Sequence, residues 1–521
     1  MPTADVDVVI AGAGPNGLMV ASELALAGVR ALVLERLSEP SAEPKANGLV
    51  GQVIRQLDMR GFYQQISGTS ERPAPTPGWI FSGMPLSFAE VTDNPMYVLP
   101  VPQPRLVRLL AAHAQRLGVD IRWGHDVTDL VLRDGIAALK ISGPAAHYDL
   151  RAKYVVGADG AHSVIRKSAA IAFPGHTAPT VVRMAHVHLP DELRAHDGGL
   201  DVPGFGRIGF GHNRFERGMV AYAELEPGRP ILATMEFGAD PVSDGIPMTL
   251  QELRDSAHRI LGVDLLIEAP TGPGPHALRR IENQNTRLAE HYRKDNVVLV
   301  GDAAHVHSAM GGPGLNLGLA DAINLGWKLA AVVKGWTPPD SLDSYQSERY
   351  PVAQRVMMHS LAQTALMAPG PEVTALRNLF TELLQAPRVA THMAHLLAGS
   401  DVGYDVDNGH RLAGRLVPEF ALSTGQRIAE LLRNGRPLLL DFAGGQFVQA
   451  AQAWDTRVDL VTAAGEHVPA AALLIRPDGY IAWATDSHDA HEIYELHHAL
   501  CRWFGLSGGD FAAVGAEGVT R

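Results

Sequence analysis

Cysteine is nearly missing from this chain: Cys501 is the one such residue in 521. A single thiol excludes an intrachain disulfide and any CxxC redox or zinc motif, and it fits a reducing, cytoplasmic setting. Basic charge is scarce as well. Lys and Arg number 44 against 56 Asp and Glu, giving a formal net charge of −12, the wrong balance for gripping phosphate backbones. The basic pairs Arg279–Arg280 and Arg293–Lys294 are dispersed and read as ordinary surface charge. No stretch reaches the ~20 unbroken apolar residues of a membrane span. The opening MPTADVDVVIAGAG lacks the basic n-region of a signal peptide. These absences exclude nucleic acid and membrane as expected partners and leave small molecules. Metal ligation is equally thin. His488, His491, His497 and His498 cluster, but Glu495 stands where an HExxH would need its second histidine, so they read as surface or cap residues. No metal is expected.

What is present is an ordinary globular composition, 46% hydrophobic and 19% charged, in a chain long enough for two or three domains. Val6–Ile10 reads as a buried strand running into a glycine turn, Leu18–Ala27 as a helix closed by Gly28, and Ala31–Leu34 as a second strand ending in Glu35–Arg36. That is a βαβ unit, hence a parallel sheet with a right-handed crossover. Arg105–Leu117 reads helical, and Val119–Trp123 and Lys153–Val156 read as strands. Residues 176–280 change character: Met184–Leu189, Arg207–Phe210, Met219–Glu224 and Ile231–Phe237 suggest an antiparallel sheet. Val297–Val300 returns to a buried parallel-type strand. Leu315–Val333 follows as a strong helix whose stripe is Leu319, Ile323, Gly326, Leu329 and Val333, with Asp321, Asn324 and Lys328 off it. Residues 341–397 are mostly helical, and a separate unit begins near 401. Within it Asp478–Gly479 is read as a hairpin turn, and Cys501 as a core residue of an apolar helix.

Three motifs carry the chemistry. Gly12-Ala13-Gly14-Pro15-Asn16-Gly17 is a GxGxxG that follows a strand and opens a helix. Its glycines permit a tight turn, close backbone approach to a pyrophosphate and close helix packing, and Glu35 ends the next strand where a carboxylate meets ribose hydroxyls. Only one such turn occurs, so a nicotinamide cofactor has no second site of this type. Asp159-Gly160, with Arg166 further on, and Gly301-Asp302-Ala303-Ala304-His305 each place a carboxylate just past a buried strand. That is where open α/β sheets bind ligands.

With these motifs on the page, the chain resembles the group A flavoprotein aromatic hydroxylases of the p-hydroxybenzoate hydroxylase fold. GAGPNG at 12–17, DGAHSVIR at 159–166, GDAAH at 301–305 and GGPGLNLGLADAINLGWKLAA at 311–331 are similar to that family's fingerprints. DSYQSERYPVA at 343–353 and RPDGYIAWA at 476–484 resemble the bacterial aromatic-polyketide hydroxylases in particular. The resemblance implies an α/β architecture: a discontinuous Rossmann-like FAD domain (1–175 and 281–400), an inserted antiparallel β-sheet substrate domain (176–280, with 68–104 contributing), and a thioredoxin-like C-terminal domain (401–521). It implies FAD as cofactor, NADPH or NADH as transient reductant, dioxygen and a polycyclic phenol as partners, and a monomer or homodimer. Gly12, Gly14, Pro15, Asn16, Gly17, Glu35 and Arg36 then hold the ADP half. Gln103 and Lys45 lie near the flavin, Asp302 on the ribityl chain, and Asp159 and Arg166 in a motif tied to FAD and NADPH. Gly311, Gly312, Pro313, Gly314, Leu315 and Asn316 form the flavin-ring loop, where helix N–H groups meet negative charge on the ring. Two positions depart from the family: Ala309 replaces a proline before the GG pair, and Lys45 replaces an arginine, keeping the charge and losing the fork.

The chemistry implied is hydroxylation of an electron-rich ring through a flavin C4a-hydroperoxide, with the protein supplying position and dryness. The alternative is Baeyer–Villiger attack on a related ketone by the same cofactor. A halogenase is disfavoured because no WxWxIP surrounds Trp79, and a flavin-binding protein without turnover is the remaining class. Met184, His186, Phe210, Tyr222 and Met235 are the expected substrate wall.

Overall fold

The computed structural model describes residues 4–507, apart from 134, 239–245, 273, 309, 466 and 467. Its first sheet is built on Val6–Ala11, which pairs in parallel with His147–Gly157 on one side and Ala31–Glu35 on the other. The order continues outward to Val297–Leu299 and Arg293–Lys294 at one edge and Asp120–Trp123 at the other. Val8, Val9 and Ile10 are fully buried, as an apolar run covered on both faces requires. Connections from the central strand diverge to opposite sides, so a crevice opens at the carboxyl ends of the strands. The glycine turn, the Asp159 turn and the Gly301–Asp302 turn all emerge there.

A second sheet is six-stranded and antiparallel, in the order Gly211–Phe215, Gly218–Ala223, Ile231–Phe237, Gly175–His186, Arg279–Leu288, His305–Val306. Its outer face carries the helix Leu250–Leu261. Arg183 from that face bonds Glu236 and Glu252 at 2.6 and 2.8 Å, and Ser256 bonds Thr234 at 2.8 Å. Its inner face turns toward the helix start at Pro313, because Met219 and Met235 pack with Met310 and Met367. One expected segment behaves differently. Gly206–Ile208 leaves the sheet and pairs with Leu200–Val202 in a separate ribbon. The Asn213 carboxamide closes Gly209–Asn213 into a turn by bonding both the N–H and the carbonyl of Gly209, which removes those groups from any ladder.

The C-terminal unit holds a four-stranded sheet, Asp459–Thr462, Leu438–Asp441, Ala472–Ile475, Ile481–Thr485. It is bolted to the rest by buried charge. The helix Pro313–Val333 carries Asp321, Asn324 and Lys328, read from spacing as lying off the apolar stripe, yet all three are buried. Lys328 meets Glu348 of the helix Asp343–Met367 at 2.7 Å, and Arg476 reaches the same carboxylate at 2.6 Å. Asn324 bonds both Glu348 and Asp478. The Asp478–Gly479 turn is therefore an anchor as well as a turn. Burial pulls the Lys328 ammonium down to about 8. Burial would raise Glu348, but Arg476 and Lys328 together bring it to about 2. Both shifts are downward: the one carboxylate is held charged by two cations, Arg476 first, while burial still disfavours the charged form of Lys328. Among the described residues no helix is long and apolar enough to cross a membrane, and no cluster of metal ligands is present.

Removing one member of such a cluster leaves buried charge uncompensated. Arg476→Met is expected to cost about 3–5 kcal/mol of stability in denaturant unfolding; a loss below about 1 kcal/mol would contradict the anchor. Because Glu348 is more acidic in the fold than in the unfolded chain, its contribution is complete above about pH 4.5 and fades as pH falls toward 2. An acid titration of Glu348→Gln should lack that component.

Candidate active site

The glycine turn is shaped by close approach. Gly12 has φ +105°, and a Cβ there would stand 2.4 Å from the Ala158 carbonyl oxygen. At Gly17 a Cβ would lie 2.1 Å from the Gly12 oxygen, so this glycine packs the helix onto the turn. Gly14 is different: nothing lies within 4 Å of its missing side chain. That open space sits at the N-terminus of the helix Pro15–Leu26, where no side chain caps the free N–H groups. Such a cradle fits a diphosphate. Pro15 takes the first helical position, where its missing N–H costs nothing. Glu35 is held to the turn it serves, accepting from Ala13 N–H at 2.8 Å and Leu37 N–H at 3.0 Å. Arg36 is exposed beyond it. The Asn16 carboxamide is pressed against Gly301 and Gly318, where a Cβ would fall 1.9 and 2.4 Å from Nδ2, and its Oδ1 is buried without a partner. It clamps the first motif to the third.

The second motif is also engaged internally. Asp159 Oδ2 accepts the N–H groups of Val164 and Ile165 at 2.7 and 3.1 Å. The Arg166 guanidinium donates to the carbonyls of Ala303 and Ala161 at 2.9 and 3.0 Å and lies 3.9 Å over the Phe173 ring. Burial lowers its pKa, with Asp159 opposing. Arg166 is thus a brace that fixes the turn carrying Asp302. Asp302 itself keeps its surface open and is still enclosed enough that burial raises its pKa, with His305 and Lys45 opposing. This carboxyl lies just past the strand Val297–Leu299, at the carboxyl edge of the parallel sheet. His305 points the other way, bonding Asp321 at 2.6 Å inside the core.

Gly311 and Gly312, both with left-handed φ, lead into the helix Pro313–Val333. Gly314 and Leu315 occupy its first turn. Asn316 accepts from Val50 N–H at 2.8 Å and donates to the Gly312 carbonyl at 2.7 Å, locking the loop to the strand Gly48–Val50. Gln103 starts the helix Gln103–Arg116 and donates its own N–H to Ala46 at 2.8 Å, beside exposed Lys45. Ala309 lies outside the described residues. Spacing did not single out His307 as a site residue. Its Nδ1 is 2.9 Å from the Ser308 carbonyl. A carbonyl only accepts, so Nδ1 carries the proton and Nε2 is left as an acceptor near Gly314. Burial brings His307 to about 4, and His359 behind it likewise. Both are neutral at physiological pH.

The sheet's register sorts the expected wall. Met184 pairs with Ala233, and Met235 with Val182 and Met219, all on the inner face. His186 shares that face opposite Ile231, with Nδ1 3.3 Å from the Arg229 carbonyl. Tyr222 pairs with Leu232 on the outer face and packs under the helix Leu250–Leu261, so it leaves the wall. Phe210, 51% exposed in the loop after the ribbon, leaves it too. The methionines 219, 310 and 367, with His212 opposite Ala221, complete the inner surface. Their signal was absent from sequence because facing depends on register.

An open glycine turn at a helix start, a carboxylate at the sheet's carboxyl edge and a second glycine-led helix start near an apolar sheet face are the arrangement of a dinucleotide-binding protein. The family described as FAD binding domain matches residues 5–360, and that described as aromatic-ring hydroxylase, C-terminal, matches 410–507. The 12-dehydrotetracycline 5-monooxygenase/anhydrotetracycline 6-monooxygenase of Streptomyces rimosus is 38% identical, covering 96% of this chain and 99% of its own. A rifampicin monooxygenase of Streptomyces venezuelae is 37% identical over the same shares. The solved structure of OxyS anhydrotetracycline hydroxylase from Streptomyces rimosus superposes with a TM-score of 0.84 at 36% identity, covering 96% of this chain and 100% of that one. The chain belongs to this FAD-binding aromatic-ring hydroxylase family and is an FAD-dependent monooxygenase.

The two kinds of glycine predict opposite failures. Gly14→Val should fold normally by circular dichroism and lose at least about tenfold in FAD affinity, since the side chain fills the diphosphate space. Gly12→Ala should instead lower stability by more than about 1 kcal/mol, because its φ and its contact with Ala158 both forbid a Cβ. Asp302→Ala is expected to release FAD on gel filtration; full flavin content in that variant would remove Asp302 from the site.

Proposed function

We propose that this enzyme uses NADPH or NADH to hydroxylate a flat, polycyclic aromatic polyketide. The observation that carries the substrate class is the inner sheet surface, where half-buried Met184 lies beside the packed cluster of Met219, Met235, Met310 and Met367. Thioether side chains are soft and adapt to wide aromatic faces. Relatives whose names specify anhydrotetracycline and rifampicin support a large fused-ring substrate. The hydroxylase named among the solved relatives favours hydroxylation over a Baeyer–Villiger outcome.

The bound flavin, once reduced, supplies the activated form of dioxygen. The protein's own groups do the rest. Gly14 and the helix N–H groups behind it hold the diphosphate, and Glu35 meets the ribose. Asp302 accepts from the ribityl hydroxyls. The first-turn N–H groups of Gly314, Leu315 and Asn316 stabilise negative charge on the ring edge. Lys45, Gln103 and Arg36 border the cofactor. His307 Nε2 accepts a hydrogen bond on the ring side of the cleft. In this reading residues 1–175 and 281–400 form the FAD domain, 176–280 with 68–104 the substrate domain, and 401–521 a thioredoxin-like unit. The strand order of that unit supports the last assignment. With one cysteine it acts as a brace through Arg476 and Asp478.

Anaerobic mixing with NADPH tests the reading. A polycyclic phenol that binds should speed flavin bleaching at least about tenfold over enzyme alone, and oxygen should then yield product heavier by one oxygen atom. Equal bleaching with and without every such ligand would refute substrate-gated hydroxylation of this class.

A further inference from the structure

Two adjacent arginines that look alike in sequence are treated oppositely by the fold. They open the strand Arg279–Leu288, and consecutive strand residues face opposite sides of a sheet. Arg280 pairs with Arg183 on the outer face and is fully matched, bonding Glu252 at 2.7 Å and Glu282 at 3.0 Å. Arg279 pairs with Met184, on the inner face. The expectation that both are surface charge therefore fails for Arg279, and its surroundings are those of the cleft: Met184, Ala233 and Ala221 follow it across the sheet, then His212.

Arg279 is half-buried and, among the described residues, forms no ion pair. Nη2 donates to the Pro44 carbonyl at 2.7 Å, while Nε is buried with no partner at all. Burial lowers the pKa of Arg279, and the charge of exposed Glu43 opposes that shift without forming an ion pair. A guanidinium on an apolar face, with a buried N–H unmet, is a costly arrangement unless a ligand completes it. Arginine cannot escape by losing its proton. What completes it must bring a negatively charged or strongly polar oxygen in the plane of the fork.

We propose that Arg279 is the specificity-determining residue for an ionised ring oxygen, a phenolate or the enolate of a β-diketone, on the aromatic substrate. The inference rests on the polycyclic reading above and narrows it: rings carrying such an acidic hydroxyl are accepted, and the same rings with the oxygen alkylated lose the contact. Ionisation also raises the electron density of the ring, which suits attack by an electrophilic oxygen. The link from Nη2 to Pro44, next to Lys45, places the fork between the sheet and the segment that borders Asp302.

The test uses the FAD-loaded enzyme and two probes of equal ring size. Emodin is a trihydroxyanthraquinone that turns from yellow to red on ionising, and its trimethyl ether cannot ionise. Wild type should bind emodin in its red form at a pH where free emodin is still yellow. Arg279→Met should lose that shift and at least about tenfold in emodin affinity, the worth of one charge-assisted hydrogen bond, while the ether binds both proteins alike. Arg279→Lys should restore part of the shift, since charge survives and the fork does not. Yellow emodin in the wild-type site, or unchanged emodin affinity in Arg279→Met, overturns the proposal alone. Loss of FAD, or parallel loss of the ether, also overturns it by assigning the charge to cofactor or fold. Failure of wild type to bind either probe overturns the polycyclic reading, and this inference with it.

Discussion

Asp321 is the point on which the separate motifs converge. It sits fully buried on the helix behind the Gly311–Gly312 turn, sharing its carboxylate between His305 at 2.6 Å and Arg349 at 2.7 Å. Burial would raise its pKa, but Arg349 and His305 pull it below the ordinary range. Through His305 it orients the turn that carries Asp302. Through Arg349 it reaches the Leu317 carbonyl and the Tyr404 hydroxyl of the C-terminal unit. A charge held this way has one low-energy arrangement, and departures from it leave a buried ion unpaired.

The same helix carries the second cluster, in which Lys328 and Asn324 meet Glu348, Arg476 and Asp478. These two clusters make the helix a rigid spine rather than a packed cylinder. In the proposed reading its N-terminal turn holds the flavin ring, and rigid support is what such a site needs. The C-terminal unit, with no dithiol chemistry open to it, has a physical task in completing that support.

Much of the cofactor side was readable residue by residue. Gly12 and Gly17 each answer a local steric demand and Gly14 leaves open space beside them, so residue type and spacing are enough. Glu35, Asp159 and Asp302 follow because each ends a strand whose apolar run is visible. Arg166 spends its donors on the Ala303 and Ala161 carbonyls, and Asn16 is packed against Gly301 and Gly318. No spacing rule distinguishes a side chain that touches a ligand from one that braces the backbone beside it.

The sequence alone determined the parallel dinucleotide sheet, the cofactor class and the family, because these depend on contacts between residues close in the chain or on backbone conformations only glycine adopts. The tertiary structure decided the rest. It turned Tyr222 outward and Met235 inward, since a β-strand's facing is set by register with neighbours tens of residues away. It buried Asp321, Asn324 and Lys328, which look solvent-facing until Arg349, Glu348 and Arg476 arrive to pair them. It also separated Arg279 from Arg280, one matched by carboxylates and one left facing the cleft. A charge has its meaning only from what surrounds it, and that surrounding is assembled by the fold.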